Sequence, residues 1–339
     1  METRCTQRAS LVAVCGLMVV LAGCVLGAIG PPRPVDSNAI LASIPVGEGP
    51  TLLAMSPDGS RVYAAAKSKL SVISTASNSI VATLTTEPYP AGLALTPDGT
   101  RAFITNLLAV NVTVIDTTRD AVVAPIELYA DRVQGGFGQI AFSPSGKTAY
   151  VANTANQVLA IVDTIKPDAD NLMMDMQPVG IAFSPNGRTA YVAGCKSFCA
   201  TGTIEVMDTS SRMVTTSITV GSKPYRILLS PDGARAYTTN LGDPSVSVVD
   251  LATNQTTATV PVPVEPTGLA LSRDGALIFV ASQPTGTITV IRTASNTVQA
   301  TVKVADDVRD VVVTPDTRRL YVSTLHSVVV VDTQSLLGG

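Results

Sequence analysis

The 339-residue sequence has one histidine, no tryptophan, and only 6 phenylalanines and 8 tyrosines. Charged residues are also few, 14% of the chain, with Lys+Arg 23 against Asp+Glu 26 and a formal net charge of −3. A single histidine, His326, rules out a multi-histidine metal centre and a histidine relay. No Cys-x-x-Cys-His haem-attachment motif occurs, and no glycine-rich phosphate loop lies between a strand and a helix. The low charge content excludes a disordered or coiled-coil chain. A pI near 5.2 argues against general nucleic-acid binding, which needs many cations over phosphates. Neither metal nor cofactor is expected. Valine, threonine, alanine and serine dominate instead, with 25 Gly and 22 Pro. That composition describes short strands joined by tight turns, an all-β chain.

The first residues read as an address. Arg4 and Arg8 precede an apolar run from Leu11 to Leu21, too short for a spanning helix but long enough for an export signal. The run ends in Leu21-Ala22-Gly23-Cys24, which resembles a bacterial lipobox. Residues 1–23 are thus expected to be a signal peptide and Cys24 the lipidated N-terminus. The alternative is an ordinary signal cleaved near Ala28-Ile29-Gly30, with Cys24 discarded. Residues 24–38, with Pro31, Pro32 and Pro34, read as a stiff tether. Cys5 and Cys15 would leave with the signal, so only Cys195 and Cys199 remain beside Cys24. In an exported protein the simplest reading of that close pair is a disulfide. These features predict an extracytoplasmic, membrane-anchored bacterial lipoprotein of the cell envelope.

Internal repetition carries the fold. Ser56-Pro57-Asp58-Gly59 recurs as Thr96-Pro97-Asp98-Gly99, Ser143-Pro144-Ser145-Gly146, Ser184-Pro185-Asn186-Gly187 and Ser230-Pro231-Asp232-Gly233. Two degenerate copies follow, Ser272-Arg273-Asp274-Gly275 and Thr314-Pro315-Asp316-Thr317. This is type I turn chemistry, with Pro at the second position and Gly where the chain re-enters a strand. Each turn leads into a strand such as Ala149-Tyr150-Val151-Ala152-Asn153, and a later strand ends in Asp116, Asp163, Asp208, Asp250 or Asp332. Four strands per repeat, seven times over residues 39–333, is a seven-bladed β-propeller. The chain opens on a fourth-type strand, Ala39 to Gly47, and ends after a third-type strand at Asp332. The ring should therefore close by the N-terminal strand joining the last blade, leaving 334–339 as a tail. The repeat Ser-Pro-Asp-Gly, Ala-Tyr-Val-Ala-Asn, Val-x-Val-x-Asp-Thr resembles the YVTN-type propellers of exported bacterial and archaeal proteins, and more distantly the lactonase-type propellers. That resemblance implies an extracytoplasmic binding or scaffold protein.

Repetition also separates scaffold from site. Tyr63, Phe103, Tyr150, Tyr191, Tyr237, Phe279 and Tyr321 share one register and belong to blade packing; the recurrent aspartates should accept turn N–H bonds. Outside the pattern stand Tyr89, Tyr129, Phe137, Phe198 and Tyr225, all in loops that strand alternation assigns to one face, called the top. With Arg132 and Arg226 they form a candidate binding arc, since aromatics beside arginine make strong interface anchors. Glu48, Glu265, Asp306, Asp307 and Asp310 occupy equivalent loops on the other side as an acidic arc. The alternative is that the aromatics fold down to plug the loop bases.

Two functions follow. The first is an envelope binding scaffold for a protein, peptide or glycan. The second is an exported hydrolase or lactonase using a central top-face pocket, with His326 or the acidic arc as acid and base.

Overall fold

The computed structural model describes residues 32–337 apart from 48, 129–135, 167 and 197–198. The expected signal peptide, Cys24, Glu48, Tyr129, Arg132 and Phe198 lie outside the described residues. Seven four-stranded antiparallel sheets form the ring. Their inner strands are Pro50–Met55, Pro90–Leu95, Phe137–Phe142, Gln177–Phe183, Pro224–Leu229, Pro266–Leu271 and Val308–Val313, which open blades 1 to 7. Blade 7 takes its fourth strand, Ile40–Pro45, from the start of the chain, where Ile44 pairs with Val328. The ring is thus closed by sheet hydrogen bonds, and no blade is left with an unmatched neighbour.

Two features at the closure depart from the sequence reading. Arg33–Pro34, expected in a stiff tether, adds a short parallel strand to blade 6, against Val302 and Lys303. The expected tail begins as a helix, Thr333–Leu337. Arg33 Nη2 donates to the carbonyl of Leu336 at 2.7 Å, and Leu336 is fully buried. Arg33–Pro34 and Thr333–Leu337 are therefore pinned to the seam between blades 6 and 7, and apolar burial under the helix supplies the reason.

The core is one apolar cluster per seam between neighbouring blades. The seven aromatics of the shared register are all buried in these clusters, each contributing about 1.5–3 kcal/mol by removal from water. Arginines latch four seams on the bottom face. Arg61, Arg101, Arg235 and Arg319 donate to carbonyls of Thr117, Thr164, Thr293 and Thr75 in the next blade.

The bottom turns interlock. Gly59 N–H donates to Ser56 O at 2.8 Å, and Gly59 sits at φ +73, a backbone open to glycine at little cost. A Cβ at Gly59, Gly99, Gly146, Gly187, Gly233 or Gly275 would meet the turn proline of the preceding blade. Pro315 thereby closes the circle against Gly59. Blade 6 has Arg273 in place of that proline, and the following blade has Thr317 in place of the glycine, still at φ +58. The strand-end aspartates do accept turn N–H groups, as in Asp208 from Ser210 and Ser211.

Candidate functional site

The top ends of the inner strands surround the ring axis, and each carries a β-bulge. In blades 1, 2, 4 and 6 a single residue is unpaired: Thr51, Ala91, Val179 and Thr267. In blades 3, 5 and 7 two residues leave the ladder: Gly138-Gln139, Tyr225-Arg226 and Arg309-Asp310. The register four residues before each turn reads Leu52, Gly92, Gln139, Gly180, Arg226, Gly268 and Asp310 around the ring. Three polar side chains interrupt a tier of glycine and leucine, all on the two-residue bulges.

The glycines make room for those bulges. A Cβ at Gly180 would lie 2.7 Å from Tyr225 O, and one at Gly268 would lie 2.9 Å from Asp310 Cα. Gly92 is crowded in the same way by Gly138 O. The freed backbone groups find side-chain partners, as buried polar groups must. Gly138 O accepts from Thr105 Oγ1 at 2.5 Å, Tyr225 O from Gln139 Nε2 at 2.9 Å, and Arg309 O from Thr267 Oγ1 at 2.7 Å. Arg226 N–H donates to Thr239 Oγ1 at 3.1 Å, and Asp310 N–H to Ser323 Oγ at 2.8 Å.

Past blade 6, Arg226 Nη2 meets Asp310 Oδ2 at 2.9 Å. Asp310 Oδ2 also accepts the Leu53 N–H of blade 1, and its Oδ1 accepts the Val311 N–H. A polar chain thus links blades 3, 5, 7 and 1, stepping over the glycines of blades 4 and 6. Asp310 was expected in an exposed acidic loop; it lies on the inner strand with 3% of its surface accessible. Burial pushes its carboxyl above the ordinary range, while the Arg226 guanidinium and the two N–H donors pull the other way. Tyr225 and Arg226 belong to a strand rather than a loop, with Arg226 Cζ 6.0 Å from the Tyr225 ring centre.

The other candidates sit around this mouth or away from it. Tyr89 is 59% exposed at φ +60, just before the inner strand of blade 2, so it does not plug the loop base. Exposed Leu107 and Leu108 adjoin it through Leu107 N–H to Tyr89 O, an apolar neighbour that a search for aromatics alone misses. Phe137 opens the inner strand of blade 3, paired with Asn153. Cys195 and Cys199 are bridged, their Cα atoms 5.0 Å apart. Cys199 O accepts from Ser222 Oγ, so the bridge abuts the segment leading to Tyr225. In the acidic arc, Asp306 pairs with Lys303, and Asp307 accepts from Arg309 Nε and Nη2. His326 is exposed on the loop between the second and third strands of blade 7, and its carbonyl accepts the Val46 N–H. Among the described residues no carboxylate is paired with it.

Among the described residues no group of three or more His, Cys, Asp or Glu could hold a metal ion. No helix among them is long and apolar enough to cross a membrane. A groove of about 720 Å³ separates the outer strands of blades 4 and 5, lined by Thr219, Asp243, Gln255 and Thr256. Its lining holds neither an aromatic nor a cation.

Fold and site together define a seven-bladed propeller with a polar tier across its axis. The family model described as lactonase, 7-bladed beta-propeller, matches residues 178–314, a stretch that includes Arg226 and Asp310. Hydrazine synthase of Kuenenia stuttgartiensis is similar in structure, with a TM-score of 0.76 at 18% identity over 85% of this chain and 96% of that one. The β-propeller domain of Cps50 (Swd1) from Myceliophteria thermophila has a TM-score of 0.72 at 10% identity, over 86% and 98%. At such identities these likenesses concern the fold alone. No protein with a curated description matches the chain.

Proposed function

We propose that this chain is an extracytoplasmic, lipid-anchored binding propeller of the bacterial cell envelope. Its ligand would sit at the top mouth of the axis, against Tyr225 and Arg226, with Tyr89 on the rim. The observation carrying this reading is the Gln139, Tyr225-Arg226 and Asp310 tier, which breaks a seven-fold repeat at one register and is held rigid by blades 3, 5, 7 and 1. Residues that depart from a repeat while the repeat persists around them are those a scaffold spends on recognition. The leader and Cys24 support the envelope address.

The test uses the full chain as bait for envelope extract, beside a Tyr89→Ala/Tyr225→Ala variant with unchanged melting temperature. A partner retained by the parent and lost from the variant is expected; equal recovery on both would sink the reading. Cys24→Ser should release the protein from the membrane fraction, and a variant still anchored would remove the lipid assignment.

A second reading rests on the lactonase model covering Arg226 and Asp310. In it the Arg226 guanidinium, oriented by Asp310, polarises the lactone carbonyl for attack by water. A lactone screen with Asp310→Asn as control decides it: turnover abolished by that change supports it, and absence of turnover removes it.

A further inference from the structure

We propose that the groove between the outer strands of blades 4 and 5 is a second binding site, separate from the axial mouth. There an extended peptide segment of a partner protein adds as a parallel strand to the edge of blade 4. The chain itself shows how such an edge is taken. In blade 6, Arg33 and Pro34 lie parallel to the outer strand opposite Val302 and Lys303, and the Val35 N–H donates to the Lys303 carbonyl at 3.0 Å. On its other side Lys303 pairs with Thr287. In blade 4 the same rung pairs Thr203 with Thr219 of the outer strand, Met213–Val220, and the two ladders carry their bulge at matching places. Ile218 and Thr219 therefore stand where Val302 and Lys303 stand. Among the described residues no strand pairs with their outer side.

The edge opens into a real cavity. Residues 217–221 form one wall of the groove of about 720 Å³, within the roughly 300–1,000 Å³ of ordinary ligand clefts. Thr219 O accepts from Thr256 Oγ1 at 2.6 Å, and Thr256 lines the same groove, so this carbonyl points into it. In an antiparallel ladder the N–H and C=O of one residue point the same way, so the Thr219 N–H faces the groove too. Met213–Val220 also carries neither proline nor charge, the usual guards of an exposed edge. The outer strands of blades 2 and 3 have Pro125 and the pair Asp168 and Asp170. The occupant is a partner rather than a second copy, because residues 33–35 of this chain are already engaged on blade 6. Its charge follows from Asp243, the one ionisable residue of the described lining. Asp243 Oδ2 accepts the Ser222 N–H at 2.8 Å, and no cation among the described residues pairs with it. The segment therefore carries a lysine or arginine.

The experiment pans a phage-displayed library of random linear peptides against the full-length protein, then titrates synthetic copies of the enriched sequences calorimetrically. Enriched peptides bearing Lys or Arg are expected. Thr219→Pro removes the N–H that the added strand uses and should weaken them at least roughly tenfold, about the value of one hydrogen bond. The ring should tolerate that change, because Pro261 holds the same rung in blade 5, opposite Ser245. Asp243→Lys should weaken the same peptides at low salt and select acidic ones instead. Methylating the peptide's backbone nitrogens one at a time should abolish binding at alternate residues, the period of a strand. This scan needs only the parent protein, so it decides even where Thr219→Pro does not fold. A library with no enriched peptide overturns the inference. So does undiminished affinity in a folded Thr219→Pro protein, a methyl scan without alternation, or a selection unmoved by Asp243→Lys.

Discussion

Arg226 of blade 5 and Asp310 of blade 7 are joined at 2.9 Å, past the glycine of the blade between them. The pair ties together strands that share no sheet, so its removal should be felt by the whole ring. Arg226→Leu leaves Asp310 buried without its cation and should destabilise by about 3–5 kcal/mol. Replacing both residues by leucine should recover much of that loss, because the second substitution removes the stranded charge. Denaturant unfolding of the four proteins of a double-mutant cycle measures the coupling; additive losses would mean the pair is an incidental contact.

The glycines of the axial tier make a sharper packing prediction. A Cβ at Gly268 would meet Ala281 Cβ at 2.8 Å and Asp310 Cα at 2.9 Å, whereas at Gly138 the nearest atom is 3.7 Å away. Gly268→Ala should therefore cost about 1–3 kcal/mol by overpacking and shift the Asp310 bulge. Gly138→Ala should stay within about 0.5 kcal/mol. Melting temperatures of the two variants give the comparison, and equal effects would contradict the crowding argument.

Thr317 holds a left-handed backbone, φ +58, that a β-branched residue adopts only under strain. Thr317→Gly should gain about 1 kcal/mol. Arg273→Pro alone should destabilise, since the other six seams set a turn proline against a glycine with no Cβ. In the Thr317→Gly background the same change should be neutral or stabilising. A coupling of that sign in thermal unfolding supports the interlock, and a proline equally tolerated in both backgrounds would dissolve it.

Acid should unfold the protein through its turns. Side-chain hydroxyls of Ser56, Thr96, Ser230, Ser272 and Thr314 hold Asp58, Asp98, Asp232, Asp274 and Asp316 below the ordinary carboxylate range. The Thr118 hydroxyl does the same for Asp116, and backbone N–H groups for Asp163 and Asp250. Asp208, bonded first by Ser211 N–H, is pulled down to about 2. A depressed folded pKa stabilises above the unfolded value, about 3.9, and that stabilisation is lost as pH falls toward the folded one. Asp310 and Glu205 have the opposite sign, because burial raises their pKa values and makes ionisation costly as pH rises. Two such groups stand against nine, so the melting temperature should drop between about pH 4 and pH 2. A flat profile there would refute the turn mechanism.

The sequence by itself determined the ring. Seven turns with Pro and Gly at set places and one buried aromatic per repeat leave no other way to bury every strand face. The phase of the first strand dictated the closure, because an unpaired blade edge must find its partner. Repetition also identified Tyr63 and its six equivalents as packing residues, which their burial shows them to be. What it did not disclose was the axial tier. Asp310 reads as one more acid in a polar loop, and Gln139 as an unremarkable residue after a glycine. Their roles depend on a bulge that lifts two residues off the ladder and on side chains that reach past an intervening blade. Aligning the register four residues before each turn would have marked Gln139, Arg226 and Asp310 as the polar residues of a position that otherwise holds glycine or leucine, though not as neighbours. Only the closed ring brings blades 3, 5, 7 and 1 to a common axis. It also decides that His326 faces solvent, since the loop carrying it springs from the second strand rather than the innermost one.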